Sequence, residues 1–194
     1  MILGITGGMG CGKSTVARLI ERRGWRRLDS DALVRERVFA DPALRTALRE
    51  RFGPDVAPEA GEIDRGRLAA VVFNDEAARV DLEKLTHPPL FALWREALRE
   101  QPHGEWVFEV PLLFEKRLEN WFDFTVCVAS SPPQQLARLE QRGLSRVLAE
   151  QRISKQLPLA RKIELSDHVV WNDGSEAFLE SQVDRLLMVV RQAR

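Results

Sequence analysis

The chain has 194 residues, enough for one α/β domain with a sizeable core and a small inserted subdomain, and too few for two large domains. Twenty-nine basic and 29 acidic residues cancel, which excludes an overall field favouring nucleic acid or an anionic membrane and leaves any anion site to local arrangement. Two cysteines and three scattered histidines exclude a disulfide framework and a legible zinc site, no apolar run is long enough to span a bilayer, and the chain opens directly into a strand, so a cytoplasmic protein without nucleic-acid or membrane partners is expected.

Met1-Ile2-Leu3-Gly4-Ile5-Thr6 is a short apolar run suited to a buried parallel strand, and Val16-Ala17-Arg18-Leu19-Ile20 reads as a helix. Between them, Gly7-Gly8-Met9-Gly10-Cys11-Gly12-Lys13-Ser14-Thr15 fits the phosphate-loop pattern of Gly, four residues, Gly-Lys-Ser, in the strand-loop-helix context the pattern requires. A plain Gly-rich turn is the other reading of such a stretch. Glycines let the backbone amides turn inward around a polyphosphate at the positive end of a helix. Lys13 would then reach the β and γ phosphates, and Ser14 would ligate magnesium. Gly24 ends the helix, and Trp25-Arg26-Arg27-Leu28 is a short strand whose C-terminal end delivers Asp29-Ser30-Asp31. The two aspartates suit helix capping or catalysis, and the neighbouring phosphate loop favours catalysis.

From Asp41 to about Gln101 the strand-helix alternation stops. Helices are expected from Pro42 to Phe52, near Arg65 to Phe73, from Glu76 to Leu85 and from Pro89 to Arg99, with His87 in a break at Thr86-His87-Pro88-Pro89. A helical insertion at this point can wall one side of a cleft and hold an acceptor. Glu105 to Val110 is the third strand and runs into Pro111-Leu112-Leu113-Phe114-Glu115; Glu109 is read either as a group placing magnesium-bound water or as an exposed strand-end carboxylate. Asp123 to Ala129 is a nearly continuous apolar strand, with Cys127 a small core residue. Helices are then expected from Ser131 to Arg142, Ser145 to Gln156 and Pro158 to Leu165. They carry Arg138, Arg142, Arg146, Arg152, Arg161 and Lys162, which suits a solvated charged face or, as favoured here, a lid closing over transferring phosphates. Asp167 to Trp171 is the last strand, and a final helix puts Leu179, Val183, Leu186, Leu187 and Val190 on one face.

A phosphate loop alone specifies only a nucleotide. No asparagine begins the Asn-Lys-x-Asp stretch of a GTPase, and there is no Leu-Ser-Gly-Gly transporter signature. The compact kinase arrangement of loop, acidic strand end, helical acceptor region and arginine-rich lid remains.

Several stretches resemble the dephospho-coenzyme A kinase family along nearly the whole chain: Gly4 to Ala17, with Cys11 where serine is usual; Asp29-Ser30-Asp31; Gly61-Glu62-Ile63-Asp64-Arg65; Val72-Phe73-Asn74-Asp75; Leu82 to Pro88; Val110 to Glu115; Arg152 to Gln156; and Asp167 with Asn172-Asp173-Gly174. The resemblance implies a three-layer P-loop kinase fold with a parallel five-stranded sheet, a helical acceptor-binding insertion at about 36–100 and a lid at about 138–165 within a single domain spanning 1–194. It implies phosphorylation of the ribose 3′-hydroxyl of dephospho-CoA by ATP with Mg²⁺, in a monomer. ATP would lie on Gly8, Met9, Gly10, Cys11, Gly12, Lys13, Ser14 and Thr15 with Asn172. Asp31, Arg65, Phe73, His87, Pro111 and Leu112 would line the acceptor, Asp31 would accept or orient the hydroxyl proton, and Lys13, Arg138 and Arg142 would offset charge on the transferring group.

Overall fold

β1 (Ile2–Gly7) is the middle strand of a five-stranded, all-parallel sheet of order β2-β3-β1-β4-β5, where β2 is Arg26–Asp29, β3 Trp106–Glu109, β4 Phe124–Ala129 and β5 His168–Trp171. The computed structural model describes residues 1–193, the side chain of Asn74 apart. The chain forms two compact units, one of Met1–Asp29 with His103–Arg194 and one of Ser30–Pro102.

The first unit holds the sheet. Alternation along the strands sorts the side chains: Leu3, Ile5, Val107, Val126, Val128 and Val170 join a buried cluster with Val16, Leu19 and Ile20 of helix α1 (Lys13–Glu21) and Leu179, Val183 and Leu187 of helix α9 (Glu176–Gln192). On the other face lie Phe108, Thr125 and Cys127, with α8 (Leu159–Leu165) packed against β1 and β4. Gly4 is required there: a Cβ would meet Phe122 at 2.6 Å and Leu113 at 2.8 Å. α6 (Pro132–Gln141), α7 (Arg146–Ser154) and a 3-10 turn at Glu119–Trp121 also belong to this unit. β1 pairs with β3 on one side and β4 on the other; the connection from β1 runs through α1 to β2, beyond β3, whereas that from β4 runs to β5 in the opposite direction. That makes the end of β1 the switch point at which open parallel sheets bind ligands.

The second unit is helical. α2 (Ser30–Leu33) continues as a π-helical turn, Val34–Val38, followed by α3 (Pro42–Phe52), α4 (Arg65–Asn74) and α5 (Glu76–Glu100). Asp41, Asp64 and Asp75 each accept backbone N–H groups at the starts of α3, α4 and α5. The expected break at His87 is absent, and α5 runs through Pro88 and Pro89. The two prolines lack the N–H groups that Lys84 and Leu85 carbonyls would accept. The helix continues because its halves are anchored separately: Thr86 is buried and its hydroxyl donates to the Leu82 carbonyl at 2.9 Å, while Leu90 and Trp94 are buried beyond the prolines. His87 therefore sits on a helix, its ring 5.4 Å from that of Phe91.

Candidate active site

The loop after β1 turns on glycines. Gly10 and Gly12 have φ of 79° and 91°, and a Cβ on Gly10 would meet the Gln135 backbone carbonyl at 2.7 Å. Gly12 caps α1 in the left-handed conformation with no side-chain cap, so the helix presents its amide end and positive dipole to the loop. Lys13 folds back over the loop and donates from Nζ to the carbonyls of Gly8 at 3.0 Å and Gly7 at 3.3 Å. Backbone amides at the start of α1, the positive end of its dipole and the Lys13 ammonium are thus gathered at the loop, the arrangement that suits a polyphosphate.

Beside it lies an acidic corner. Ser14 Oγ donates to Glu109 Oε1 at 2.5 Å, and Arg27 donates to Glu109 Oε2 at 3.1 Å and to Asp29 Oδ2 at 3.0 Å. The register explains the gathering, because Asp29 lies opposite Glu109 and Glu109 opposite Ile5, two residues before the loop. Glu109 is buried, contrary to its reading as an exposed strand-end carboxylate. Sequence reasoning gave no role to Arg27; its spacing of two from Asp29 places both on one face of β2 and was the available signal. Serine hydroxyl and carboxylate oxygens are the donor set that magnesium takes.

The loop is also held from behind. Arg138 donates to the carbonyl of Asn172 at 2.6 Å, to Ser130 Oγ at 2.9 Å and to the Gly10 carbonyl at 3.3 Å. Asn172 Nδ2 donates to the Cys11 carbonyl at 2.9 Å, and Gln135 Nε2 to the Ser130 carbonyl at 2.9 Å. Cys11 is buried, and burial raises its thiol pKa although Lys13 and Arg138 pull it down. Arg142 lies exposed at the end of α6. Of the other lid cations, Arg146 pairs with Glu150 at 3.2 Å and Arg161 with Glu164, each along its own helix. Lys162 departs from the lid reading altogether. It is fully buried on the sheet side of α8, donating to the Pro111 carbonyl at 2.8 Å and pairing with Glu115 Oε1 at 2.8 Å. The same Pro111 carbonyl accepts from Thr6 Oγ1 at 3.2 Å, so Pro111 and Leu112 belong to a loop tied to β1 and α8.

In the helical unit, Asp31 is exposed on α2, two residues along the chain from Asp29. Arg65 opens α4, Phe73 near its end is 39% exposed, and His87 lies on α5, against which α4 packs. Among the described residues no group of three or more His, Cys, Asp and Glu side chains forms a metal cluster, and no described helix is long and apolar enough to cross a membrane.

The sequence profile of the dephospho-CoA kinase family matches residues 1–177. A dephospho-CoA kinase of Thermosynechococcus vestitus is 41% identical over 185 residues, covering 94% of this chain and 91% of that protein, and one of Bacillus cereus is 34% identical over 195 residues, covering 96% of each. The crystal structure of TT1252 from Thermus thermophilus superposes with a TM-score of 0.86 at 35% identity, over 97% of this chain and 96% of that one. A shikimate kinase from Bacteroides thetaiotaomicron, at 17% identity and a TM-score of 0.55 over 98% of both chains, shares the fold. With the phosphate loop, the acidic strand ends and the five-stranded parallel sheet in place, these matches identify the chain as a P-loop kinase that belongs to the dephospho-CoA kinase family.

Proposed function

We propose that the protein transfers the γ-phosphoryl group of ATP to the ribose 3′-hydroxyl of dephospho-CoA, giving CoA and ADP, and that it does so as a cytoplasmic monomer. The observation that carries this reading is the junction of Lys13, Ser14 and Glu109 at the end of β1, in a chain whose next strand ends two residues before Asp31. The loop amides and Lys13 Nζ hold the polyphosphate and offset the charge that develops on its oxygens. Ser14, with Glu109 and Asp29 nearby, would hold magnesium, which when bound supplies charge neutralisation at the phosphates. Asp31 orients the acceptor hydroxyl and accepts its proton as the oxygen attacks in line. The reaction places most of its demand on position, since phosphoryl transfer through a loose transition state asks little basicity of the carboxylate. Arg138, tied to the Gly10 carbonyl, keeps the loop in shape, and Arg142 supplies positive charge from the end of α6.

The test is a mass-resolved end-point assay with magnesium-ATP and, in parallel, dephospho-CoA, adenosine, AMP and CMP. A magnesium-dependent gain of one phosphate on dephospho-CoA is expected. Transfer only to CMP or AMP would leave the phosphate loop explained and overturn the acceptor. Asp31→Asn should lower turnover by about a hundredfold or more, the usual scale for removing a general base, with little change in ATP affinity; loss of ATP binding with turnover retained at saturation would overturn the role given to Asp31.

A further inference from the structure

Arg27 is the member of the acidic corner to which neither the phosphate loop nor the transfer chemistry gives a task. It stands on the edge strand β2 with Val107 opposite it on β3, on the face that α1 covers. Asp29 and Glu109 lie two residues further along that same face and opposite each other, so a long side chain at position 27 meets both carboxylates at once. A single nitrogen, Nη2, donates to Asp29 Oδ2 at 3.0 Å and to Glu109 Oε2 at 3.1 Å. With side chains 20% and 7% exposed, the Arg27–Glu109 pair is shielded from the solvent screening that weakens surface pairs.

Stability alone does not account for this guanidinium. Its Nε is buried without a hydrogen-bond partner among the described residues, and an apolar side chain facing α1 would strand no polar atom. What the guanidinium does is divide the oxygens of the corner. With Asp29 Oδ2 and Glu109 Oε2 taken, Glu109 keeps Oε1 for the Ser14 hydroxyl, which donates its proton there and leaves its lone pairs for a cation. Two carboxylates against one guanidinium also leave these three groups with one net negative charge.

Building on the function proposed above, we propose that Arg27 is a positioning and selectivity residue for the metal: it keeps the corner from holding a free divalent cation, calcium above all, so that magnesium is taken up only together with the nucleotide. Calcium takes about six to eight oxygens and accepts bidentate carboxylates, whereas magnesium keeps several waters and needs one or two carboxylates besides the phosphates. Without Arg27, Asp29 and Glu109 would offer both oxygens of each carboxylate and two negative charges, a donor set suited to calcium that also repels incoming phosphates. With Arg27 in place, the donor set suffices only when the nucleotide's own oxygens complete it.

Calorimetric titration of the full-length, nucleotide-free protein with calcium chloride, and separately with magnesium chloride, tests this. The wild type should bind either ion no more tightly than roughly millimolar, the weak end of calcium sites. Arg27→Gln should tighten calcium binding by about tenfold or more, the order expected when one unit charge is removed beside a divalent ion, with a smaller gain for magnesium. Arg27→Lys keeps the charge and should stay within about twofold of the wild type. Arg27→Gln combined with Glu109→Gln restores one net negative charge and should lose the gain. Calcium affinity unchanged in a folded Arg27→Gln protein, with only its melting temperature lowered, would make Arg27 a structural brace and overturn the assignment; so would micromolar calcium binding by the wild type itself, a result that needs no variant to fold. Failure of the functional reading is separate, because these titrations contain neither nucleotide nor acceptor: it would appear as a wild-type protein that does not phosphorylate dephospho-CoA at all.

Discussion

Among single residues, the two thiols answer most directly to their surroundings. Burial pushes the Cys127 thiol up to about 12 from 9.0, with Cys11 adding to the shift. The folded protein thus holds that proton more tightly than the unfolded chain. Its contribution is fully present below pH 9.0 and is lost as pH rises toward 12. Between pH 8 and pH 10 the wild type should lose about 1.4 kcal/mol more stability than Cys127→Ala, by one unit of proton linkage; parallel urea titrations at the two pH values measure it, and equal losses would refute it. Cys11→Ser should be nearly silent in activity, because the loop uses the backbone of residue 11, whose carbonyl accepts from Asn172, and a thiol kept protonated by burial is a poor nucleophile. Lys13→Ala should abolish transfer. Arg138→Lys should destabilise by about 1–3 kcal/mol despite keeping its charge, since one ammonium cannot reach the three oxygens that the guanidinium now serves.

Helices and loops depend on joints that no single element specifies. Lys162 of α8, Glu115 after β3, the Leu157 N–H that donates to Glu115 at 3.0 Å, and the Pro111 carbonyl form one buried knot. Removing only the lysine strands a carboxylate in the interior, where a broken buried pair costs about 3–5 kcal/mol. Lys162→Met should therefore be strongly destabilised, while Lys162→Met with Glu115→Leu should recover most of the loss; chemical denaturation of the three proteins distinguishes this from a simple packing defect, in which the double variant would be the least stable. The same logic explains two elements that sequence patterns misjudged. In α5, local backbone chemistry argues for a break at Pro88-Pro89, yet buried Thr86, Leu90 and Trp94 hold both halves to neighbouring helices. In α8, a lysine in a charged run argues for solvent, and only its pairing with a carboxylate 47 residues earlier turns it inward.

For the whole molecule, ligand binding should be visible as stability. Magnesium-ATP at a hundredfold its Kd stabilises the protein that binds it by about 2.7 kcal/mol, roughly 5–10 °C in Tm for a chain of this length. Scanning calorimetry should show that shift in the wild type and none in Lys13→Ala. The phosphate loop, the five strands, the parallel α/β class and the helical insertion were legible in the sequence because each rests on short-range rules: apolar runs of strand length, glycines where the backbone must turn on itself, and caps at helix starts. Strand order was not legible, since it depends on pairings such as Ile2 with Trp106 and Leu3 with Phe124, which lie more than a hundred residues apart. The acidic corner followed from that order: Ser14, Arg27, Asp29 and Glu109 are meaningful together only once β3 is inserted between β1 and β2. By itself the sequence determined that this chain carries a phosphate loop between a strand and a helix, because that pattern is carried by consecutive residues. Which carboxylate meets Ser14, which arginine braces the loop and which lysine is buried were decided only by the tertiary structure, because those partners are brought together by sheet pairing and helix packing across long stretches of chain.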